Sequence, residues 1–153
     1  MLTRAKSFAQ YWLPVLLGMG LIFYGSTDLL SARHTSRFIR PLVLWLMPSA
    51  SEATLQRIHG AIRKTGHVFE YAVLAALAWR ARRKPAAAPA LGWRWPDAAF
   101  AWGWAVVFAA TDEFHQSFVS TRTGSPIDVL WDSLGATLAL GLLWLLHCRL
   151  SAR

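Results

Sequence analysis

Residues 7–27, SFAQYWLPVLLGMGLIFYGST, form an uncharged block of 21 residues near the start of the chain. The hydrocarbon core of a bilayer is about 30 Å thick, and an α-helix needs about 20 residues to cross it. A signal peptide is the alternative, because Arg4 and Lys6 precede the block. The block is longer than the apolar core of a signal peptide, and no clear A-x-A cleavage site follows it. We therefore expect a retained transmembrane helix.

The composition of the whole chain is typical of a membrane protein. Hydrophobic residues make up 55% of it and charged residues 16%, whereas soluble domains carry about 25% charged residues. The net charge of +8 could indicate a nucleic-acid partner, but the basic residues lie in short clusters beside the apolar blocks. We therefore expect a lipid bilayer and no nucleic acid as partner. The 153 residues form a single domain, 1–153, and the one cysteine, Cys148, excludes an internal disulfide.

Three further apolar segments follow the first span, which covers about residues 8–27. They lie at about residues 65–79, 98–115 and 126–147. A six-residue apolar stretch, 42–47, precedes them and is too short to cross a bilayer. Ser49 and Glu52 resemble a capping box, which predicts a surface helix that leads to the second span. The predicted fold is all-α: an integral membrane bundle of four transmembrane helices, with a short interfacial or re-entrant segment between the first and second.

The basic residues predict the orientation of this bundle. The two termini and the connection between the second and third spans carry nine basic residues, and the opposite side carries seven. Because basic residues are enriched on the cytoplasmic side, this count favours two cytoplasmic termini.

The last three spans are too short unless they include polar residues. Their uncharged cores, residues 71–79, 98–111 and 133–146, contain nine, fourteen and fourteen residues. Each reaches about 20 residues only with a charged end. Because neighbouring spans run in opposite directions, these three ends lie on the same side of the membrane, which is predicted to be extracytoplasmic. The side chains concerned are Lys64, His67, Glu70, Asp112, Glu113, His115, Gln116, Asp128 and Asp132.

Helical spacing brings members of each set onto one face. Lys64, His67 and Tyr71 are spaced i, i+3 and i+7, and a spacing of four separates Asp128 from Asp132. An ionisable side chain near the bilayer centre costs about 2.5–3.5 kcal/mol on insertion scales. That cost falls where such groups meet one another or water. The sequence therefore predicts a polar cavity between the helices, open to the outside.

Several of these residues also have a structural interpretation. Ser125, Pro126 and Asp128 fit the N-cap, the first-turn proline and the capping box of a helix, so for Asp128 the two interpretations are equal. Asp112 and Glu113 lie at a predicted helix C-terminus, where the helix dipole disfavours anions. We therefore expect them to have a partner.

Three ordered motifs give the chain a family resemblance. They are KTGHVFEY at residues 64–71, DEFHQ at 112–116 and RTGSPID at 122–128, the last followed by Gly135. Over about residues 11–147 this pattern resembles the VanZ-like family of bacterial integral membrane proteins, which Ser26 also suits. The family commonly has Asn where this chain has Asp132. The resemblance implies a multi-pass protein of the bacterial cytoplasmic membrane and an association with teicoplanin resistance, but no known reaction.

The residues and the resemblance together predict a protein that binds a polar or anionic envelope ligand. A lipid headgroup, a cell-wall precursor or a glycopeptide-related group would lie at the depth of the cavity. The alternatives are a membrane-embedded hydrolase or transferase, with or without a metal ion, and a small proton-coupled transporter. The spacing matches no metal motif, and no cofactor is predicted. The candidate ligand-binding residues are Lys64, His67, Glu70, Tyr71, Asp112, Glu113, Gln116, Arg122, Ser125, Asp128 and Asp132.

Overall fold

A computed structural model describes residues 2–27, 32–83, 92–119 and 124–152. Within these ranges the chain forms five α-helices and no strand, which confirms the all-α prediction. The helices are α1 (Leu2–Gly25), α2 (Ala32–Leu46), α3 (Glu52–Arg83), α4 (Trp95–Gln116) and α5 (Pro126–Ser151).

Two of the described helices are long and apolar enough to cross a membrane. They are α1, over Phe8–Gly25, and α5, over Pro126–Ser151. Only 11% of the first window and 22% of the second is buried inside the protein, whereas a core helix of a soluble protein is mostly buried. Large side chains such as Leu21 and Leu142 lie on the outside, as lipid-facing residues do. The helices α3 and α4, which contain more polar residues, are not apolar enough to meet the same criterion. The four transmembrane helices therefore remain a prediction.

The central helix of the bundle is α3, against which α1, α2, α4 and α5 all pack. Small residues line its contacts: Ala75 and Ala78 of α3, Ala105 of α4 and Ala136 of α5 are fully or almost fully buried. Small side chains allow helix backbones to approach closely, as they do in membrane bundles. This close approach brings the polar ends of the helices within hydrogen-bond distance of one another.

The start of α3 differs from the prediction. The helix begins at Glu52 and continues without a break to Arg83, so the predicted surface helix and the second span are one helix of 32 residues. At 1.5 Å per residue it is about 48 Å long, which exceeds the hydrocarbon core. The Ser51 hydroxyl accepts a hydrogen bond from the Thr54 amide at 3.2 Å. Ser51 therefore caps the helix, two residues later than the Ser49 cap that the capping-box pattern predicted.

The short segment before α3 is the amphipathic helix α2. It is longer than the apolar stretch 42–47, because residues 32–40 also become helical and Pro41 lies inside the helix. Fifteen residues remain too few to cross a bilayer. Thr35 bonds to His59 of α3 at 2.9 Å, while Phe38 and Trp45 are exposed. An apolar exposed face next to a packed polar face is typical of a helix that lies in the membrane interface.

Candidate functional site

Seven polar side chains are buried together at one end of the bundle. The end of α1, the middle of α3, the C-terminus of α4 and the start of α5 each contribute to this polar cluster, and each member is at most 7% exposed. Buried polar groups are costly unless they are paired, so the pairings within the cluster determine what it can do. Its members are Ser26, His67, Asp112, Glu113, Gln116, Asp128 and Asp132.

The link between α3 and α5 is a hydrogen bond between an imidazole and a carboxylate. His67 Nδ1 lies 3.0 Å from Asp132 Oδ1. The contact is possible because Gly135, one turn further along α5, has no side chain to hold the helices apart. A Cβ at that position would lie 2.1 Å from the Val68 carbonyl oxygen.

Asp112 joins α4 to the end of α1. Its Oδ2 atom accepts hydrogen bonds from the Ser26 hydroxyl at 2.6 Å and from Gln116 Nε2 at 2.9 Å. The Gln116 amide group also lies 3.3 Å from Ser26 Oγ. An acid near a helix C-terminus was expected to have a partner, and Asp112 has two.

Glu113 connects the end of α4 to the beginning of α5. Its Oε2 atom accepts a hydrogen bond from the Ser125 amide at 2.7 Å, and its Oε1 atom lies 3.3 Å from Gln116 Nε2. Ser125 is the N-cap of α5, since its hydroxyl accepts a hydrogen bond from the Ile127 amide at 3.2 Å. Pro126 is the first residue of that helix. The capping role that the sequence assigned to Ser125 and Pro126 is therefore confirmed.

Asp128 does not complete the capping box. The Ser125 amide that a capping-box carboxylate would accept is bound by Glu113 instead. Asp128 forms an ion pair with Arg63 of α3 and is itself almost fully buried. Arg63 is therefore part of the site, although the sequence interpretation did not select it.

A cavity of about 140 Å³ adjoins the polar cluster between α1, α2 and α3. His67 lies on the boundary between the cluster and the cavity. Glu70, Arg63 and His59 continue the lining along one face of α3, and Thr35 of α2 lies opposite. His59, Arg63 and His67 are each four residues apart, and this helical spacing could have identified Arg63 and His59 from the sequence.

One predicted site residue lies away from the cluster, and another lies outside the described residues. Lys64 is exposed on the outer side of α3, where its ammonium group lies 5.2 Å from the centre of the Trp131 ring. Arg122 lies outside the described residues. His115, one of the polar residues at the predicted span ends, packs against the Phe23 ring at a centroid distance of 4.3 Å.

The other predicted residues lie in or beside the cluster. The Tyr71 side chain is fully buried one helical turn after His67 on α3. In the cluster and the adjoining Tyr71, four buried oxygen atoms lack a hydrogen-bond partner among the described residues, although buried polar atoms are normally paired. They are Tyr71 Oη, Asp112 Oδ1, Gln116 Oε1 and Asp132 Oδ2.

Three members of the cluster have the donor atoms and the spacing of metal ligands. One ligand atom from each of His67, Glu113 and Asp132 lies within 4.8 Å of the other two, and all three residues are buried. They come from α3, α4 and α5, so helix packing alone assembles the set. The sequence could not show it, because their separations along the chain match no metal motif.

Comparison with known proteins supports one assignment. The model of the VanZ/LLP1 family matches residues 11–147, which is most of the chain. No curated protein and no solved structure matches. The matched range contains every residue of the polar cluster, and the motifs at residues 64–71, 112–116 and 122–128 lie within it. The chain is a member of the VanZ/LLP1 family.

Proposed function

We propose that this protein is a multi-pass protein of the bacterial cytoplasmic membrane that binds the phosphate-bearing headgroup of an envelope lipid. Both termini are cytoplasmic in this proposal, and the headgroup enters the cavity between α1, α2 and α3 from the extracytoplasmic side. A lipid-linked cell-wall precursor has the same headgroup chemistry. The observation that carries the proposal is the cavity beside His67, whose lining includes several polar side chains and the cationic Arg63.

The size of the cavity limits the ligand. A volume of about 140 Å³ accommodates a small polar group but not a whole glycopeptide. A headgroup is such a group, and the acyl or prenyl chains attached to it would remain in the bilayer beside the bundle.

The position of the cavity supports a lipid as the source of that group. Thr35 and Ile39 of α2 line the cavity, while Phe38, Leu42 and Trp45 of the same helix are exposed. A helix with this division lies with its apolar face among the acyl chains, close to the headgroups. The cavity beside it is then at headgroup depth.

The lining supplies both signs of charge. Arg63 is a fork of N–H donors that matches a phosphate, and His59 lies one turn before it. The ion pair with Asp128 holds the Arg63 side chain in place. On the same face of the helix, Glu70 would accept hydrogen bonds from hydroxyl or ammonium groups of the headgroup.

A cavity-filling variant tests the proposal without removing a polar contact. Gly66 lines the cavity, and a Cβ built there has no atom within 4 Å, so Gly66→Leu adds volume at the cavity lining without a clash at the Cβ. Gly20→Leu is the matched control, since Gly20 is exposed and also has open space. Delipidated protein in detergent would be titrated with dioctanoyl phosphatidylglycerol and observed by native mass spectrometry. We expect Gly66→Leu to bind at least tenfold more weakly than Gly20→Leu, and equal binding by both would contradict the proposal.

A second function, acid–base hydrolysis of a lipid-linked phosphate, is favoured by one contact. Asp132 binds His67 Nδ1, which is how a carboxylate orients a histidine general base. The test is phosphate release from a lipid-linked pyrophosphate by purified protein. His67→Gln would abolish release and His147→Gln, at the far end of α5, would not. No release by the unmodified protein would contradict this function.

A further inference from the structure

The centre of the polar cluster contains more negative than positive groups among the described residues. Glu113 and Asp132 place two carboxylates around one imidazole, that of His67. The Arg63 guanidinium, which lines the adjoining cavity, is paired with Asp128. Buried carboxylates need a cation, a proton or hydrogen-bond donors to offset their desolvation.

The geometry around His67 is close to that of a metal site. Zinc lies about 2.0–2.2 Å from nitrogen and oxygen ligands, so two ligands on one ion are about 3–4 Å apart. His67 Nδ1 and Asp132 Oδ1 are 3.0 Å apart, which is within that range. The atoms of all three residues lie within 4.8 Å of one another, so small side-chain rotations are enough to bring Glu113 into contact with the same ion.

A separate observation at the same place is an unpaired hydroxyl. Tyr71 is 0% exposed, and its oxygen has no hydrogen-bond partner among the described residues. Tyr71 lies one helical turn after His67 on α3, so the two side chains lie on the same face of that helix. The second carboxylate oxygen of Asp132 is also buried without a partner in the described part of the chain. Two buried polar atoms beside the three residues therefore need a partner.

The ligands also have the supporting contacts that metal ligands need. The Ser125 amide holds one oxygen of Glu113, and Gln116 lies beside the other. Such contacts orient a carboxylate and reduce the entropy lost on metal binding.

We propose that His67, Glu113 and Asp132 form a binding site for one divalent transition-metal ion, with Zn²⁺ as the best match. One imidazole and two carboxylates are a zinc ligand set that leaves a fourth position open for water or substrate. A site made only for Mg²⁺ or Ca²⁺ would use oxygen ligands rather than an imidazole. The metal site does not depend on lipid binding, because the three protein ligands come from the polar cluster and none of them has to be supplied by a group in the cavity.

The first test measures metal in the unmodified protein. Protein purified in detergent would be stripped with chelator, loaded with Zn²⁺, desalted and assayed by plasma mass spectrometry. We expect about one ion per chain and a higher unfolding temperature after loading. No retained metal and no shift in unfolding temperature would overturn the proposal, whatever the variants show.

The second test identifies the ligands. Asp132→Asn keeps the shape of the side chain but removes the anionic ligand, and we expect it to weaken Zn²⁺ binding at least tenfold. His147→Gln is the matched control and should bind as the unmodified protein does. An X-ray absorption spectrum should show nitrogen and oxygen neighbours only, and this readout does not depend on whether a variant folds. A sulfur neighbour would place the ion at Cys148 instead and overturn the proposal.

The outcomes separate this site from the lipid proposal. If the protein binds no metal but Gly66→Leu still loses lipid, the metal site is wrong and headgroup binding stands. If Zn²⁺ binds and Gly66→Leu keeps its lipid affinity, the metal site stands and headgroup binding in the cavity is wrong.

Discussion

The backbone of Gly135 on α5 lies directly against the carbonyl oxygen of Val68 on α3, where a Cβ would be 2.1 Å from that oxygen. The adjacent residue on α3 is His67, whose bond to Asp132 lies one turn along α5. The position of this helix crossing therefore determines whether the cluster can form.

Gly135→Ala should separate α3 from α5. Overpacking typically costs about 1–3 kcal/mol, and a contact with rigid backbone puts this variant at the upper end of that range. The measurement is the unfolding temperature in detergent. Gly103→Ala is the control, because a Cβ there has no atom within 4 Å, and helix propensity predicts a small gain. Equal effects of the two variants would contradict the importance of the crossing.

Arg63 and Lys64 are adjacent basic residues that should behave differently. Arg63→Gln removes the partner of the buried Asp128, and since Arg63 is itself 28% exposed we expect a loss of about 1–3 kcal/mol. Lys64→Gln removes only an exposed cation–π contact, which is worth about 0.5–1 kcal/mol. Denaturant titration of both variants in detergent measures the difference. Addition of Asp128→Asn to Arg63→Gln should recover part of the loss, and no recovery would contradict a direct pair.

Ser26→Ala should loosen the end of α1. The Ser26 hydroxyl donates to the buried Asp112 carboxylate, and a buried acceptor left unpaired costs about 1–3 kcal/mol. Ser133→Ala is the control, because that hydroxyl bonds only to the Val129 carbonyl of its own helix. Proteolysis at the α1–α2 connection would measure the effect. Faster cleavage in both variants would show that the Ser26 contact does not hold α1 in place.

The orientation of the bundle can be tested by cysteine labelling in intact cells. Cys148→Ala removes the one native cysteine. In that background a membrane-impermeant maleimide should label Ser49→Cys, before α3, and not Ala152→Cys at the end of α5. Both positions are exposed, so access depends on the side of the membrane. The opposite labelling pattern would reverse the predicted orientation.

The sequence predicted which segments are helical better than it predicted which face of each helix is buried. Uncharged length identified α1, and the Ser125–Pro126 pair identified the start of α5. The continuous α3 was not predicted, because a change from polar to apolar residues looks like a boundary whether or not the helix ends there.

The sequence predicted most of the residues of the candidate site, but it did not predict which of them form hydrogen bonds or ion pairs with one another. Arg63 and Lys64 are four and three residues before His67, so spacing alone permits either on the inner face. The crossing of α5 over α3 decides between them, and it turns Arg63 inward to Asp128. The three proposed zinc ligands could not be grouped from the sequence for the same reason, since they meet only when three helices pack in a register that no local pattern contains.

Glu113 uses its two carboxylate oxygens for different purposes. Oε2 holds the Ser125 amide at the beginning of α5, and Oε1 faces the cluster. A ligand that moves this carboxylate must also change the strength of the hydrogen bond between Glu113 and the Ser125 amide at the start of α5. Occupancy of the buried cluster would then be reported by the hydrogen-exchange rate of the Ser125 amide, at the edge of the protein.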